Sequence, residues 1–214
     1  MPTSQSRILT PVFSIIQQMN VTSVLDIGVG HGKAGVLIRE YLEIMNLRYK
    51  RSEWQGKVFG IEAFSGYQND LWNYAYDRVV VADAINGIQE FQNIDLIIAL
   101  DVWEHFEPNY EKIFRQACLE RARWLLISTP KKPLSQKNVF NNSYERHLSK
   151  WSPENFHEIP YRLVTCTKND WIILLSSCEP IPSCVKHFAY PSEHLLNGLF
   201  EAIDLWKLRF RFRI

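Results

Sequence analysis

Four of the nine glycines in this chain fall within eight residues, in Leu25-Asp26-Ile27-Gly28-Val29-Gly30-His31-Gly32-Lys33-Ala34-Gly35. No other stretch constrains the fold as strongly. Val21–Ile27, just before it, reads as a buried strand, and Ala34, Leu37, Ile38, Tyr41, Leu42 and Met45, just after it, recur at helical spacing. A chain that passes from a buried strand into an amphipathic helix must turn sharply. Glycines there permit positive φ and let a ligand lie against bare backbone.

The same alternation continues downstream and predicts an α/β protein around a mostly parallel sheet. Further strands are expected at Lys57–Ile61, Arg78–Val81, Asp95–Leu100 and Trp124–Ser128, with a helix placing Tyr110, Ile113, Phe114 and Ala117 inward. Tyr161–Thr167 and Trp171–Ser176, split by Lys168-Asn169-Asp170, read as a terminal antiparallel hairpin. A helix opens the chain, with Thr10 as its cap, Pro11 in its first turn, and Val12, Phe13, Ile16 and Met19 on one face. Ser152-Pro153 opens a short helix ending near His157. The polar stretch Lys131 to Lys150 is long for a connection and is read as a lid or binding loop, with Lys131, Lys132 and Lys137 as its solvated face. Tyr67, Trp72, Tyr74 and Tyr76 follow no helical period and are read as packing around a crevice.

Composition narrows the class. With 214 residues, 46% hydrophobic and 22% charged, the chain suits one globular core. A formal charge of +1 is too balanced to hold long nucleic acid by phosphate neutralisation alone. Cys118, Cys166, Cys178 and Cys184 form no CxxC pair and show no metal-ligand spacing with histidine, so they are expected to be buried free thiols, with no metal site. No signal-peptide pattern and no apolar run of roughly 18 residues is present, and a cytoplasmic location is expected. The last segment places Leu195, Leu196, Leu199, Phe200, Ile203 and Trp206 at helical spacing, then alternates Lys207, Arg209, Arg211 and Arg213 with apolar residues at strand spacing. That strand is expected to complete the sheet or to join a homodimer.

Gly30-x-Gly32-x-x-Gly35 also satisfies a dinucleotide-binding pattern, so the ligand has to be chosen by charge. Asp26 lies two residues before the first glycine. A pyrophosphate would meet that carboxylate at about 4 Å, at a cost of several kcal/mol, whereas an ammonium group would be welcomed. A P-loop fits poorly, because one residue is missing before Lys33 and Ala34 replaces the magnesium-binding hydroxyl.

Asp26-x-Gly28-x-Gly30-x-Gly32 resembles the first motif of class I S-adenosylmethionine-dependent methyltransferases, and three later segments extend the likeness. They are Val58-Phe-Gly-Ile-Glu62, Val79-Val-Val-Ala-Asp83-Ala84 and Ile97-Ile-Ala-Leu-Asp101-Val-Trp-Glu-His105-Phe. A late segment, Asn142-Ser-Tyr-Glu-Arg-His147-Leu-Ser-Lys-Trp151, brings the chain nearer to a mainly bacterial, small-molecule-type group of that family. The resemblance implies a Rossmann-like fold, with a mostly parallel seven-stranded sheet, the antiparallel hairpin at its end and helices on both faces. Residues 1–178 would form the cofactor-binding domain and 179–214 a C-terminal extension. It implies S-adenosyl-L-methionine as cofactor, held by Asp26, Gly28, Val29, Gly30, Gly32, Glu62, Ala63, Asp83, Ala84 and Asp101, with Glu62 on the ribose hydroxyls and Asp83 on the adenine amino group. The Asn/Asp-Pro-Pro-aromatic motif of enzymes that methylate base amino groups is absent from the Asp101 position. The expected acceptor is a small molecule or glycan.

His105 and His147 are candidate general bases, and Asp101 a positioning acid, on the general ground that a histidine near neutrality accepts a proton readily. Each acid and each histidine has an ordinary alternative, as a helix cap, a solvated strand end or a loop residue. Two other functions stay open at this level. One is an NAD-dependent oxidoreductase, from the glycine pattern. The other is a non-catalytic protein that binds S-adenosylmethionine and serves in assembly.

Overall fold

The computed structural model describes residues 3–139 and 141–186. Its strands show why a sheet with two covered faces forms. Along β1 (Ser23–Ile27), Val24 enters one core while Leu25 and Ile27 enter the other. β4 (Ile94–Leu100) divides in the same way, with Leu96 and Ile98 on one side and Ile97 and Ala99 on the other. Alternate side chains point to opposite faces, so a strand that is apolar throughout needs cover on both.

The remaining strands are β2 (Lys57–Glu62), β3 (Arg78–Val81), β5 (Ala122–Pro130), β6 (Tyr161–Cys166) and β7 (Asp170–Ser176). They assemble in the order β3-β2-β1-β4-β5-β7-β6, with β7 antiparallel to both its neighbours and the other pairs parallel. The predicted seven-stranded sheet with a terminal hairpin is therefore present. Strand order reverses at β1 and β4, whose ends point the same way and leave a crevice between the outgoing loops, where ligands of such sheets bind.

One face is covered by α1 (Ser6–Gln18), α2 (Lys33–Leu42) and α3 (Asp70–Ala75), the other by α4 (Ala84–Gly87) and α5 (Pro108–Arg121). The short α6 (Ser183–Lys186) packs Val185 on the first face. The C-terminal stripe at 195–206, the basic strand at 207–214 and any dimer contact they make lie outside the described residues. Among the described residues no helix is long and apolar enough to cross a membrane.

Four local expectations are corrected. The first helix begins at Ser6, not at Thr10-Pro11, because Ile8 is fully buried and Arg7 is held by Asp170 through Nε at 2.5 Å and Nη2 at 2.8 Å. Pro11 thus lies inside the helix, and tertiary contacts outweigh the backbone bond it removes. On α5, Tyr110 and Ile113 are 52% and 61% exposed, and Phe114, Cys118 and Leu119 face the core beside the Glu111–Arg115 pair. An ion pair inside the apolar stripe rotates the buried face away from the one that hydropathy alone selects. Met45 is exposed, since α2 ends at Leu42. All four cysteines are free, yet only Cys118 is buried, while Cys178 and Cys184 are exposed.

Arg39 shows what fastens α2 to the strands. Its side chain is fully buried, and it donates to the carbonyls of Ala75 at 2.7 Å and Gly56 at 2.9 Å and to Asp77 at 2.8 Å. Its ring neighbour Trp54 lies 4.6 Å from the guanidinium carbon. Removing one member of a buried charge network costs about 3–5 kcal/mol. Arg39→Leu is expected to lower unfolding free energy by that amount, read from the shift in urea midpoint.

Candidate active site

The β1–α2 turn is built around close approach. Gly28 has φ +77°, donates its N–H to the Ile61 carbonyl at 2.8 Å, and has no room for a Cβ, which would sit 2.6 Å from Val102 Cγ2. Gly30 donates to Glu62 Oε2 at 2.8 Å, and its carbonyl accepts from Trp72 Nε1 at 2.8 Å. Gly35 serves another purpose. The Tyr76 ring occupies the space a Cβ would take, at 2.3 Å, and the Tyr76 hydroxyl accepts from the Gly35 N–H at 3.0 Å while donating to Asp26 Oδ2 at 2.6 Å.

A cavity of about 390 Å³ opens above this turn. Asp26, Gly28, Val29 and Gly30 line it from β1, Glu62 and Ala63 from β2, Asp83 and Ala84 from β3, and Asp101 from β4. Gly32 does not reach it. With φ +89° it starts α2, and its N–H returns to the Val29 carbonyl at 2.9 Å. The nine other predicted cofactor residues thus all line one cavity, eight from the ends of β1, β2 and β3 and Asp101 from the end of β4.

The acids are not equivalent. Asp26 is 2% exposed, and burial, aided by the charge of Glu62, pushes its carboxyl up to about 7 against the opposing bond from Tyr76. Glu62 is raised by burial although the N–H groups of Phe64 and Gly30 donate to it at 2.8 Å each. Asp83 caps α4, accepting from the N–H groups of Ile85 and Asn86 at 3.1 Å each, while it borders the cavity. Asp101 adopts φ +56°, a conformation uncommon outside glycine, and it donates its N–H to Ser128 Oγ at 3.0 Å. Its carboxylate accepts from Ser128 Oγ at 3.0 Å and from the Gln5 N–H at 3.3 Å, and burial raises it.

The histidines meet across two loops. His105 ends a 3-10 turn, Trp103–His105, directly after β4, and lines both the cavity and a second recess of about 610 Å³. His147 lines the second recess only, so the cofactor-side cavity receives one histidine and not both. Their rings lie 5.0 Å apart. Each Nδ1 faces a carbonyl, Arg146 at 2.9 Å for His105 and Leu134 at 2.7 Å for His147. A carbonyl only accepts, so Nδ1 is the donor on both rings and Nε2 is the nitrogen left without a backbone partner. Burial, opposed by the Arg146 carbonyl and aided by His147, lowers the His105 pKa.

Sequence reasoning gave no role in the site to Glu104, Asn142 or Glu145, and read Tyr67 as packing around the crevice. Glu104 is buried beneath the histidines, and burial together with Asp101 pushes its carboxyl up to about 8. Tyr67 donates to Glu145 Oε1 at 2.9 Å and accepts from Asn142 Nδ2 at 3.2 Å, a buried cluster on the cavity wall. The signal for these lay in the late segment 142–151, which is pinned to the 3-10 turn by Leu148 N–H to the Glu104 carbonyl at 2.8 Å and Trp151 Nε1 to the Trp103 carbonyl at 2.8 Å. Beyond His105 the cavity ends in Phe106, Tyr110, Tyr144 and Leu148, of which the two tyrosines are about half exposed. The aromatic cluster read as crevice packing is largely that, with Tyr67, Trp72 and Tyr76 buried and Tyr74 exposed.

No family model matches the sequence, and no curated protein matches it. Solved structures do. A protein of Pyrococcus horikoshii is similar with a TM-score of 0.57 at 15% identity, over 82% of this chain and 92% of that one. An S-adenosylmethionine-dependent methyltransferase from Archaeoglobus fulgidus is similar with a TM-score of 0.50 at 15% identity, over 79% of this chain and 94% of that one. The N-terminal domain of EvdMO1, solved in the presence of S-adenosylhomocysteine and D-fucose, is similar with a TM-score of 0.54 at 12% identity, over 80% of this chain and 83% of that one. The strand order, the glycine turn and these likenesses agree that the chain has the Rossmann-like fold of S-adenosylmethionine-dependent methyltransferases.

Proposed function

We propose that this protein transfers a methyl group from S-adenosyl-L-methionine to an oxygen or nitrogen of a small-molecule or glycan acceptor, by in-line displacement. The observation that carries this reading is the charge and shape of the cavity. Buried acids line it, Lys33 among the lining residues donates to the Ser4 carbonyl at 2.9 Å, and Asp26 forms no ion pair among the described residues. Phe106, Tyr110, Tyr144 and Leu148 add apolar surface to the same cavity.

The residues present suit an amino-acid-bearing nucleoside. Asp26 receives the ammonium group, and Glu62, whose oxygens each retain a lone pair beyond the N–H they already accept, receives the ribose diol. Asp83 and Ala84 frame the adenine side, and the bare backbone of Gly28 and Gly30 lets the ligand lie close. Bound there, S-adenosylmethionine supplies a sulfonium methyl that is already activated. The protein then has to hold an acceptor atom about 3 Å from that methyl and in line with the bond to sulfur.

Phe106, Tyr110, Tyr144 and Leu148 form the acceptor end, and half-exposed tyrosines there suit the apolar face of a sugar ring. The EvdMO1 domain crystallised with D-fucose is in keeping with a sugar at this end. The loop 131–150 closes the mouth and excludes water. Asp101 positions cofactor or acceptor, and the histidine pair promotes loss of the acceptor's proton.

Two measurements test the reading. If Asp26 must ionise to receive the ammonium, its raised pKa makes binding compete with protonation. Affinity for S-adenosylhomocysteine is expected to tighten roughly tenfold between about pH 6 and about pH 8, where a carboxyl near pH 7 loses its proton, and calorimetry reads the change. Asp26→Asn should bind weakly with a flat profile; a flat wild-type profile would remove Asp26 from the ammonium role. In cell extract supplied with isotopically labelled methyl donor, the wild type should label a low-mass or glycan fraction. His105→Ala is expected to lower that turnover by about 10²–10⁴-fold, and full turnover in both His105→Ala and His147→Ala would end the role given to the pair.

A further inference from the structure

Glu104, His105 and His147 come together although 42 residues separate the first two from the third along the chain, counting from His105. One ligand atom from each lies within 4.8 Å of the others. Three ligands about 2.1 Å from one ion in tetrahedral array stand about 3.4 Å from one another, so a modest closure of the three side chains lets a single ion reach all of them.

We infer that Glu104, His105 and His147 bind a divalent first-row transition ion, and that this ion holds and acidifies a hydroxyl of the methyl acceptor. Two arrangements support it. Both imidazoles have Nδ1 engaged by backbone carbonyls of the late loop, at 2.9 Å and 2.7 Å, which leaves Nε2 as the ring nitrogen free to ligate. Metal-bound histidines are oriented in this way, by a bond from the ring nitrogen that does not touch the metal. Glu104 is 2% exposed, accepts from Thr129 Oγ1 at 3.2 Å, and has no ion-pair partner among the described residues. Two lone pairs and a buried carboxylate without a cation form a set that a metal completes.

The donor set also selects the ion. Two imidazoles and one carboxylate, with no thiolate, suit Mn²⁺, Fe²⁺, Co²⁺ or Zn²⁺ better than Mg²⁺ or Ca²⁺, which prefer oxygen throughout. Three protein ligands leave a coordination position free, the arrangement of catalytic rather than structural sites. That position matters because His105 and Asp101 border both the cofactor-side cavity and the second recess, so an ion on His105 stands at the wall between them.

The use of the ion rests on the methyl-transfer reading above; its binding does not. An acceptor hydroxyl bound to the ion becomes more acidic, as metal-bound water does. Its O–H proton passes to solvent through the second recess, and the oxygen attacks the methyl carbon. The O–CH₃ bond forms as the C–S bond breaks, and that electron pair stays on sulfur, so an ether and a thioether result. This narrows the acceptor from oxygen or nitrogen to an alcohol, and the histidines promote proton loss through the ion rather than by carrying the proton themselves.

The test uses the full chain stripped with a chelator and then titrated with Co²⁺ alone, followed by visible d–d absorption and by calorimetry. Wild type is expected to take about one Co²⁺ per chain, with an absorption band of low coordination number. His147→Gln and Glu104→Gln should each weaken binding by at least about tenfold, while near-ultraviolet circular dichroism confirms that they fold. His147 is not on the cofactor-side wall, so His147→Gln should bind S-adenosylhomocysteine within about twofold of wild type. Co²⁺ binding that is absent in wild type, or equal in wild type and both variants, overturns the inference. Site-specific Co²⁺ binding by a chain that fails to bind S-adenosylhomocysteine supports the ion site and sinks the methyl-transfer reading instead, so the two failures are distinct.

Discussion

A carboxylate buried at the end of a central strand is costly unless something positive or hydrogen-bonding meets it, and much of this structure is arranged around that requirement at Asp26. Tyr76 meets one oxygen, and the tyrosine needs the surface of α2 to be bare where it crosses. Gly35 supplies the bare surface and donates its own N–H to the hydroxyl. The glycine that completes the dinucleotide-like pattern is therefore a packing residue for a tyrosine that travels with α3. The remaining charge of Asp26 faces the cavity, where it is open to an ammonium group and hostile to a phosphate.

The same logic extends along the crevice. β1 and β4 are neighbours whose helices leave on opposite faces, so their outgoing loops part above the sheet, with Val102 of one packed on Gly28 of the other at the base of the crevice. β1 contributes an acid with one hydrogen-bonded oxygen, and β2 an acid whose oxygens hold Gly30 and Phe64 in place. Glu62 thus shapes the turn through Gly30 and, in the function proposed above, also offers its remaining lone pairs to the ligand. A substitution there disturbs the shape of the turn as well as a contact.

How much of this was legible in the sequence depends on the range of the interaction involved. The strand–glycine–helix order, the acids closing β1, β2, β3 and β4, and the hairpin are local patterns with a period of two or 3.6, and they appear where the sequence places them. The start of α1 was not legible, since Arg7 finds Asp170 across 163 residues. The inward face of α5 was misread for a related reason: Glu111 pairs with Arg115 and also accepts from Trp103 Nε1, so a charged pair occupies positions that hydropathy assigns to solvent. Asp83 illustrates a third limit. Its cap on α4 and its place on the cavity wall are both local, and the sequence contains no sign that the two coexist.

The gathering of Glu104, His105 and His147 was invisible for a fourth reason, which is spacing. Metal-ligand motifs are recognised when ligands sit on one helix or one knuckle, whereas here the third ligand is carried in by a polar loop whose backbone is stitched to the 3-10 turn by Leu148, Ser149 and Trp151. That stitching binds the loop to the carbonyls of Trp103 and Glu104 themselves, so the elements that present the ligands also fix their separation. Glu104 gives this arrangement a cost. Burial and the nearby Asp101 oppose ionisation of its carboxyl, a penalty that a leucine in its place would not carry. A glutamate that burdens the fold, set under two imidazoles already oriented from behind, makes structural sense when a cation joins them.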